Sequence, residues 1–130
     1  MDLSPSKIRY LLIIYELSME SPGAIRPIDI ANRMKVSRAS VAVMLKELAE
    51  HGLISRTEES GVRFTVRGHE RAMWYYTQYR TLLRFFLQAL RQDGVLARED
   101  CMNMVSTLSR ESLRYLVHYV KDGRVHYNLS

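Results

Sequence analysis

The pattern of apolar residues predicts an N-terminal helix that begins at Ser4 and Pro5. Serine is a favoured helix N-cap, and proline is pre-organised for the first helical position. Apolar residues then fall at positions i, i+3, i+4 and i+7, which are Ile8, Leu11, Leu12 and Tyr15. This spacing is typical of an amphipathic helix that buries one side. The Ser-Pro-Gly turn at residues 21–23 would end the helix.

Two shorter helices with a brief connection follow in the pattern. Pro27 opens the first of them, and Ser37 is the expected N-cap of the second. The second again has its apolar residues at i, i+3, i+4 and i+7, which are Val41, Met44, Leu45 and Leu48. Gly52 fits the position just past a helix end, where a positive φ is needed. Two helices joined by a few residues are the outline of a helix-turn-helix motif.

After Gly52 the apolar period changes from helical to alternating. Residues 53–57 and 62–66 predict two short strands around a turn. The side chains of the second strand expected to point inward are Val62, Phe64 and Val66. Two helices followed by a two-stranded ribbon form the plan of a winged helix.

A long helix is predicted from about Gly68 to Gln92, with an apolar stripe of Met73, Tyr76, Leu83, Leu87 and Leu90. Aromatic residues between positions 74 and 86 make this helix apolar on nearly every side, so more than one face has to be covered. The Asp-Gly pair at 93–94 would break it. Helices over about 97–107 and 109–121 follow, the last with a buried face of Leu113, Leu116, Val117 and Val120.

Composition and charge narrow the possible functions of the chain. It has 130 residues, a formal net charge of +5 and one cysteine, so an internal disulfide is excluded and a reducing compartment is expected. No stretch fits a membrane span, which favours a cytoplasmic protein without a membrane partner. The excess of basic over acidic residues favours a polyanionic binding partner such as nucleic acid. The histidines are scattered and no nucleophile–base pair is evident, so an enzyme is not expected.

Basic side chains concentrate in the predicted helix-turn-helix, where residues 22–46 hold five basic residues against one acidic residue. The second helix of the motif starts with small or basic side chains, so its N-terminus can approach a duplex closely. Arg38 could reach a phosphate or a guanine edge, and Ala39 could touch a thymine methyl group. The predicted DNA-binding residues are Arg26, Lys35, Ser37, Arg38, Ala39, Ser40 and Lys46, with Arg56 and Arg63 from the wing.

The order IRYLLIIYEL, IDIANRMKVSRASVAVMLKELAEHGLI and RFTVRGHERA, followed by one long and two short helices, resembles the diphtheria toxin repressor family. Its members are iron- and manganese-dependent transcriptional repressors, and the resemblance covers about residues 4–121. It implies a mainly α fold, with a winged helix-turn-helix domain over 1–66, a three-helix dimerisation domain over 67–121 and a tail over 122–130. It also implies a homodimer on a palindromic operator in double-stranded DNA.

The positions that carry metal ligands in this family hold poor ligands here. By the resemblance these positions are Arg9 and Leu12 in the first helix, Arg80 in the long helix, and Met102, Val105 and Ser106 in the penultimate helix. Only Met102 could coordinate a metal ion, and a thioether is a poor ligand for Fe²⁺ or Mn²⁺. Cys101 and Asp100 are weak candidates, because Cys101 falls on an apolar helix face. No cofactor is expected, and Fe²⁺ or Mn²⁺ would bind only if the family's metal dependence survives.

The expected function is therefore a sequence-specific transcriptional repressor of this type, either independent of metal or with an altered effector response. Two alternatives stay open. The first is a repressor that responds to a metal or to oxidation of Cys101. The second is a winged-helix module that binds a protein through its basic face, since the same fold serves both purposes.

Overall fold

The computed structural model describes residues 2–59 and 61–123. The elements in this part of the chain are α1 (Pro5–Glu20), α2 (Pro27–Met34), α3 (Arg38–Glu50), β1 (Ile54–Arg56), β2 (Val62–Phe64), α4 (Val66–Gln88), α5 (Gly94–Thr107) and α6 (Arg110–Lys121). They form two compact units, of which the first ends at Trp74 and the second begins at Tyr75. The mainly α winged-helix fold is as predicted.

Helix α1 supplies a large part of the core of the first unit. It starts as predicted, with the Ser4 hydroxyl accepting a hydrogen bond from the Lys7 backbone N–H and with proline in the first turn. Its buried residues are Ile8, Tyr10, Leu11, Leu12, Ile13 and Ile14. This set is wider than the predicted stripe, so α1 is covered on more than one side. Tyr15 is half-buried, and its ring lies 6.3 Å from that of Phe64 in the wing.

A tight turn reverses the chain between α2 and α3. Lys35 ends α2 in the left-handed conformation, with a φ of 58°. The Val36 N–H then donates a hydrogen bond of 3.1 Å to the Ala31 carbonyl. Ser37 caps α3 as predicted, because its hydroxyl accepts a hydrogen bond from the Ser40 N–H at 3.1 Å. The turn therefore satisfies the Ala31 carbonyl at the end of α2 and the Ser40 N–H at the start of α3.

Helix α3 leads directly into the wing. Gly52 takes the predicted positive φ, at 73°, and the Leu53 N–H donates back to the Leu48 carbonyl in the pattern of a Schellman motif. Strands β1 and β2 then pair antiparallel, with Ser55 opposite Arg63. Ile25 adds a further bridge on the other edge of β2, through two hydrogen bonds with Val62. The sequence pattern did not predict this bridge.

The second strand ends earlier than predicted, and Val66 is not part of the core. Val66 opens α4 and is 79% exposed. The reason is Thr65, whose hydroxyl donates to the Gly52 carbonyl and accepts from the Gly68 N–H. A threonine in this position caps a helix, so the long helix begins two residues before the expected start.

The predicted apolar stripe of α4 was also wrong. The residues of α4 that are buried are Ala72, Tyr75, Tyr79 and Leu82, whereas Met73, Leu87 and Leu90 are exposed. A helix that is apolar on nearly every side offers several stripes of equal period, and the sequence alone does not select one. The helix also ends at Gln88 rather than Gln92.

Helices α5 and α6 complete the second unit. The Asp93 carboxylate accepts hydrogen bonds from the Val95 and Leu96 N–H groups, so α5 begins at Gly94 and not near residue 97. Ser109 caps α6 in the same way. On α6, Leu113 and Val117 are buried, and the other two residues of the predicted face are half-buried. Of the predicted tail, residues 124–130 lie outside the described residues. Within the described ranges, no helix has the length and apolar character of a membrane span.

The close approach of α4 to the end of α3 predicts the effect of Gly68→Ala. A Cβ at position 68 would overlap the backbone carbonyl of Leu53, which already accepts the Thr65 N–H. We expect a loss of about 1–3 kcal/mol in the free energy of unfolding, as for other overpacked sites. Denaturant titration followed by circular dichroism measures it. Gly94→Ala is the matched control, since a Cβ there has no neighbour within 4 Å, and equal stability of the two variants would contradict this reading.

Candidate DNA interface and the metal-ligand positions

The N-terminal half of α3 is the most accessible part of the helix-turn-helix. Val36, Ser37, Arg38, Ala39 and Ser40 are all exposed, and the buried face begins at Val41. Because Ser37 caps the helix, the first turn is well ordered and still points outward. Lys46 is exposed further along the same helix. The structure thus brings the residues predicted on α3 together on its solvent side.

Two hydroxyls in this turn are partly used within the protein. The Ser37 hydroxyl accepts from the Ser40 N–H at 3.1 Å and donates to the Ser40 hydroxyl at 2.9 Å. Ser40 keeps its own hydroxyl proton for another acceptor. Ser37 is therefore mainly a cap, while Ser40 is free to donate to a phosphate or a base.

Apolar side chains form part of the exposed face of the helix-turn-helix, and three of them were not predicted from the sequence. Val43 is 60% exposed and Val36 is 38% exposed, and Ala42 is exposed as well. The sequence carried a signal for Val43, which lies off the predicted buried stripe of α3. Single exposed apolar side chains are common on protein surfaces, so these three become candidates through their position beside the predicted DNA-binding residues.

The positive charge of the motif is smaller than the residue count suggests. The Arg33 guanidinium donates to both carboxylate oxygens of Glu20, at 2.8 and 2.6 Å. This contact lowers the pKa of Glu20 below its ordinary value and removes Arg33 from the accessible cations. Arg26 is exposed but lies 3.3 Å from a carboxylate oxygen of Asp29. Arg38, Lys35 and Lys46 remain the accessible cations nearest to α3.

The wing separates its two arginines. Arg63 lies opposite Ser55, whereas Arg56 lies opposite Val62. Neighbouring residues on a strand point to opposite faces of a ribbon, so Arg56 and Arg63 do not share a face. Both are exposed. That both arginines bind DNA stays a prediction.

The remaining predicted site residues are mostly buried within their own elements. Leu12 and Val105 are fully buried, Met102 is 7% exposed and Ser106 is 5% exposed. The Ser106 hydroxyl donates to the Met102 carbonyl at 2.8 Å, which is a normal local contact in a helix. Arg80 is exposed and Arg9 is half-buried. Among residues 2–59 and 61–123, no group of three or more His, Cys, Asp or Glu side chains could hold a metal ion.

Cys101 is fully buried and carries a free thiol. Burial, together with the nearby Asp100 carboxylate, raises its pKa to about 11. A reactive or metal-binding cysteine needs an accessible thiolate. The structure therefore supports the prediction that Cys101 is a small apolar core residue.

Comparison with known proteins identifies the chain. Residues 2–62 match the family described as "Iron dependent repressor, N-terminal DNA binding domain". The chain is 35% identical over 104 residues to the transcriptional regulator MntR of Escherichia coli O157:H7, covering 80% of this chain and 66% of the relative. It also matches the structure of the manganese regulator SloR with a TM-score of 0.70 and 30% identity, over 92% of this chain and 55% of that one.

The chain belongs to the iron-dependent repressor family. The resemblance to the diphtheria toxin repressor family is thereby confirmed. The crystal structure of T. acidophilum IdeR supports the fold alone, since it is 20% identical with a TM-score of 0.73 over 93% of this chain and 55% of that one. The chain spans 66% of the length of MntR and about half of the SloR chain. The residues that the resemblance places at the family's ligand positions do not fit a metal, because Leu12 and Val105 offer no donor and the Ser106 hydroxyl donates to a backbone carbonyl.

The burial of Cys101 predicts slow reaction with a thiol reagent. With a pKa of about 11 instead of 9.0, the thiolate fraction at neutral pH falls about a hundredfold, and burial slows access further. We expect labelling by dithionitrobenzoate to be at least about a hundredfold slower in the folded chain than in denaturant. The denatured chain is the internal control. Folded protein that labels at the denatured rate would show that the thiol is accessible and would favour the thiol-responsive alternative.

Proposed function

We propose that the protein is a sequence-specific DNA-binding transcriptional repressor that works as a homodimer on a palindromic operator. The observation that carries the proposal is the exposed, capped first turn of α3 within a winged helix. Such a helix end can enter the major groove, because its side chains are small and its free N–H groups favour phosphate oxygens. A role on DNA would place the protein in the cytoplasm, and an enzymatic function has no support in the site.

The chemistry of the exposed face suggests how a sequence would be read. Arg38 is the side chain able to make a bidentate contact with a guanine. Ala39, Ala42 and Val43 cannot form side-chain hydrogen bonds, so they would discriminate by apolar contact with thymine methyl groups. We therefore expect half-sites that combine a guanine with neighbouring thymines. Lys46, further along α3, would contact the phosphate backbone, as would Lys35 and one arginine of the wing.

The second unit supports the dimer. Leu87, Leu90, Val95 and Leu96 are between 40% and 70% exposed around the connection of α4 to α5. Four large apolar side chains exposed within so short a segment are unusual for a surface that faces only water. A second copy of the chain would cover them, and its two-fold symmetry would match a palindrome.

We further propose that DNA binding does not require a metal ion. SloR is described as a manganese regulator, but that description belongs to the relative. In this chain the corresponding positions carry buried apolar side chains and arginine. Fe²⁺ and Mn²⁺ prefer oxygen and nitrogen donors, and these positions provide almost none.

The proposal predicts different effects for Arg38→Ala and Lys46→Ala. The DNA used for the test is the duplex that the wild-type chain binds most strongly in a random-sequence pool. We expect this selected duplex to be palindromic. Loss of Arg38 should weaken binding to it by about 1–3 kcal/mol and reduce selectivity. Loss of Lys46 should weaken all duplexes similarly and lower the slope of log K against log salt by about one.

Arg114→Ala is the control for this pair of variants, because it removes the same charge from an exposed position on α6. Fluorescence anisotropy at several salt concentrations measures all three. If both α3 variants bind as the wild type does, α3 is not the reading helix. If the wild type shows no salt-sensitive duplex binding, the protein-interaction alternative is favoured instead.

A further inference from the structure

An ion pair connects α1 to the far end of the reading helix α3. Lys7 Nζ donates a hydrogen bond to Glu47 Oε1 at 3.1 Å. The two residues are 40 positions apart in the chain, so the contact is tertiary. Lys7 lies in the first turn of α1, and Glu47 lies in the last turn of α3.

Both charges oppose the preference of the helix that carries them. The first turn of a helix favours acidic side chains and the last turn favours basic ones. Lys7 places a cation in a first turn, and Glu47 places an anion in a last turn. Local helix stability therefore gives no reason for either residue, whereas their mutual contact does.

The burial of Lys7 strengthens this interpretation. Its side chain is only 16% exposed, while that of Glu47 is 44% exposed. A lysine whose side chain is largely covered by protein is stabilised by an anionic partner close to its ammonium group. Glu47 is that partner, and the ion pair is better shielded from salt than a pair on the open surface.

Side-chain packing leaves space between α1 and the first half of α3. A groove of about 640 Å³ is bordered by Arg9 and Tyr10 on α1 and by Ala39 and Val43 on α3. Along this groove the two helices do not fill the gap between them. The distance between α1 and α3 is therefore set in part by contacts outside the groove, and Lys7–Glu47 is such a contact.

The other end of α1 is held to the helix-turn-helix as well. Arg33 on α2 pairs with Glu20 at 2.6 Å and lies 3.7 Å from Glu16. Helix α1 is thus tied to α2 by one pair and to α3 by the other. Glu47 lies about 14 Å along the helix from Arg38, so a shift at Glu47 would tilt the DNA-facing end of α3.

We propose that Lys7 and Glu47 form a positioning pair, which holds α3 in the orientation that reading base edges requires. The inference rests on the proposed DNA-binding function and assigns to Lys7 a role without contact to DNA. Base readout depends on side chains placed to within about half an ångström. Binding to phosphates of any sequence is more tolerant. Loss of the pair should therefore reduce selectivity more than general affinity.

The test compares variants of the full chain on two duplexes. One is the duplex selected by the wild type, and the other is a scrambled duplex of the same length and composition. The variants are Lys7→Met, Glu47→Gln, the charge reversal Lys7→Glu with Glu47→Lys, and Glu50→Gln. Glu50 is exposed in the same last turn of α3, so Glu50→Gln controls for the loss of one negative charge near DNA.

We expect Lys7→Met and Glu47→Gln each to lower the ratio of selected to scrambled affinity about twofold to fivefold. Glu50→Gln should leave this ratio unchanged, and the charge reversal should restore it to within about a factor of two of the wild type. The slope of log K against log salt should stay the same in Lys7→Met, because no phosphate contact is lost. All measurements are made well below each variant's unfolding midpoint, so that a purely structural loss of folded protein does not enter.

Three results would overturn the positioning pair. One is an unchanged ratio in Lys7→Met and Glu47→Gln. Another is a slope of log K against log salt that falls by about one in Lys7→Met, combined with a Glu47→Gln variant that behaves like Glu50→Gln. This result would make Lys7 a phosphate contact. The third is a charge reversal that is worse than either single variant. A wild type that does not bind DNA in a salt-sensitive way would contradict the proposed function itself. A wild type that binds DNA while the ratio is unchanged in the variants would contradict only the positioning pair, so the two failures are distinguishable.

Discussion

The turn between α2 and α3 is the constraint on which the rest of the DNA-facing surface depends. Lys35 adopts a left-handed backbone, a conformation that a lysine takes only when its surroundings require it. The Val36 N–H donates a hydrogen bond to a carbonyl at the end of α2, and Ser37 caps the start of α3 one residue later. Because Ser37 caps α3 directly after the turn, the helix begins at Arg38, and its first residues are exposed. Its exposed side chains follow from this geometry.

The features that could be predicted from sequence are those with a local physical cause. The caps at Ser4, Ser37 and Ser109 and the positive φ of Gly52 depend on a few neighbouring residues. Their chemistry is visible in the sequence itself. The helices of the helix-turn-helix could be placed for the same reason, since the apolar period of α3 leaves one side for solvent.

The features that were missed depend on contacts between distant parts of the chain. Thr65 caps α4 only because β1 and β2 bring it beside Gly52, so Val66 could not be recognised as exposed. Arg33 counts toward the basic excess of residues 22–46, but the fold places its guanidinium 2.6 Å from a Glu20 carboxylate oxygen. Ile25 becomes part of the wing only through its bridge to Val62. The stripe of α4 failed for a different reason, because an aromatic-rich helix has no unique apolar period.

The chain has the fold of the iron-dependent repressor family, while the side chains that the resemblance places at the family's ligand positions are apolar, engaged by backbone or cationic. In this account the charges that matter on the DNA-binding unit are fixed ones, such as the guanidinium of Arg38. Fixed charges act at any metal concentration, whereas a required bound cation would make the DNA affinity depend on the metal concentration.

The most direct test of this claim is the affinity of the wild-type chain for its selected duplex in the presence and absence of metal. The protein is first dialysed against a chelator, and the duplex is then titrated with chelator, with Mn²⁺ and, under anaerobic conditions, with Fe²⁺ at constant ionic strength. The account predicts salt-sensitive binding with chelator present, at an affinity that either metal changes by less than about twofold. A rise of about tenfold or more on adding Mn²⁺ or Fe²⁺ would contradict it, and would show that this chain retains a metal site.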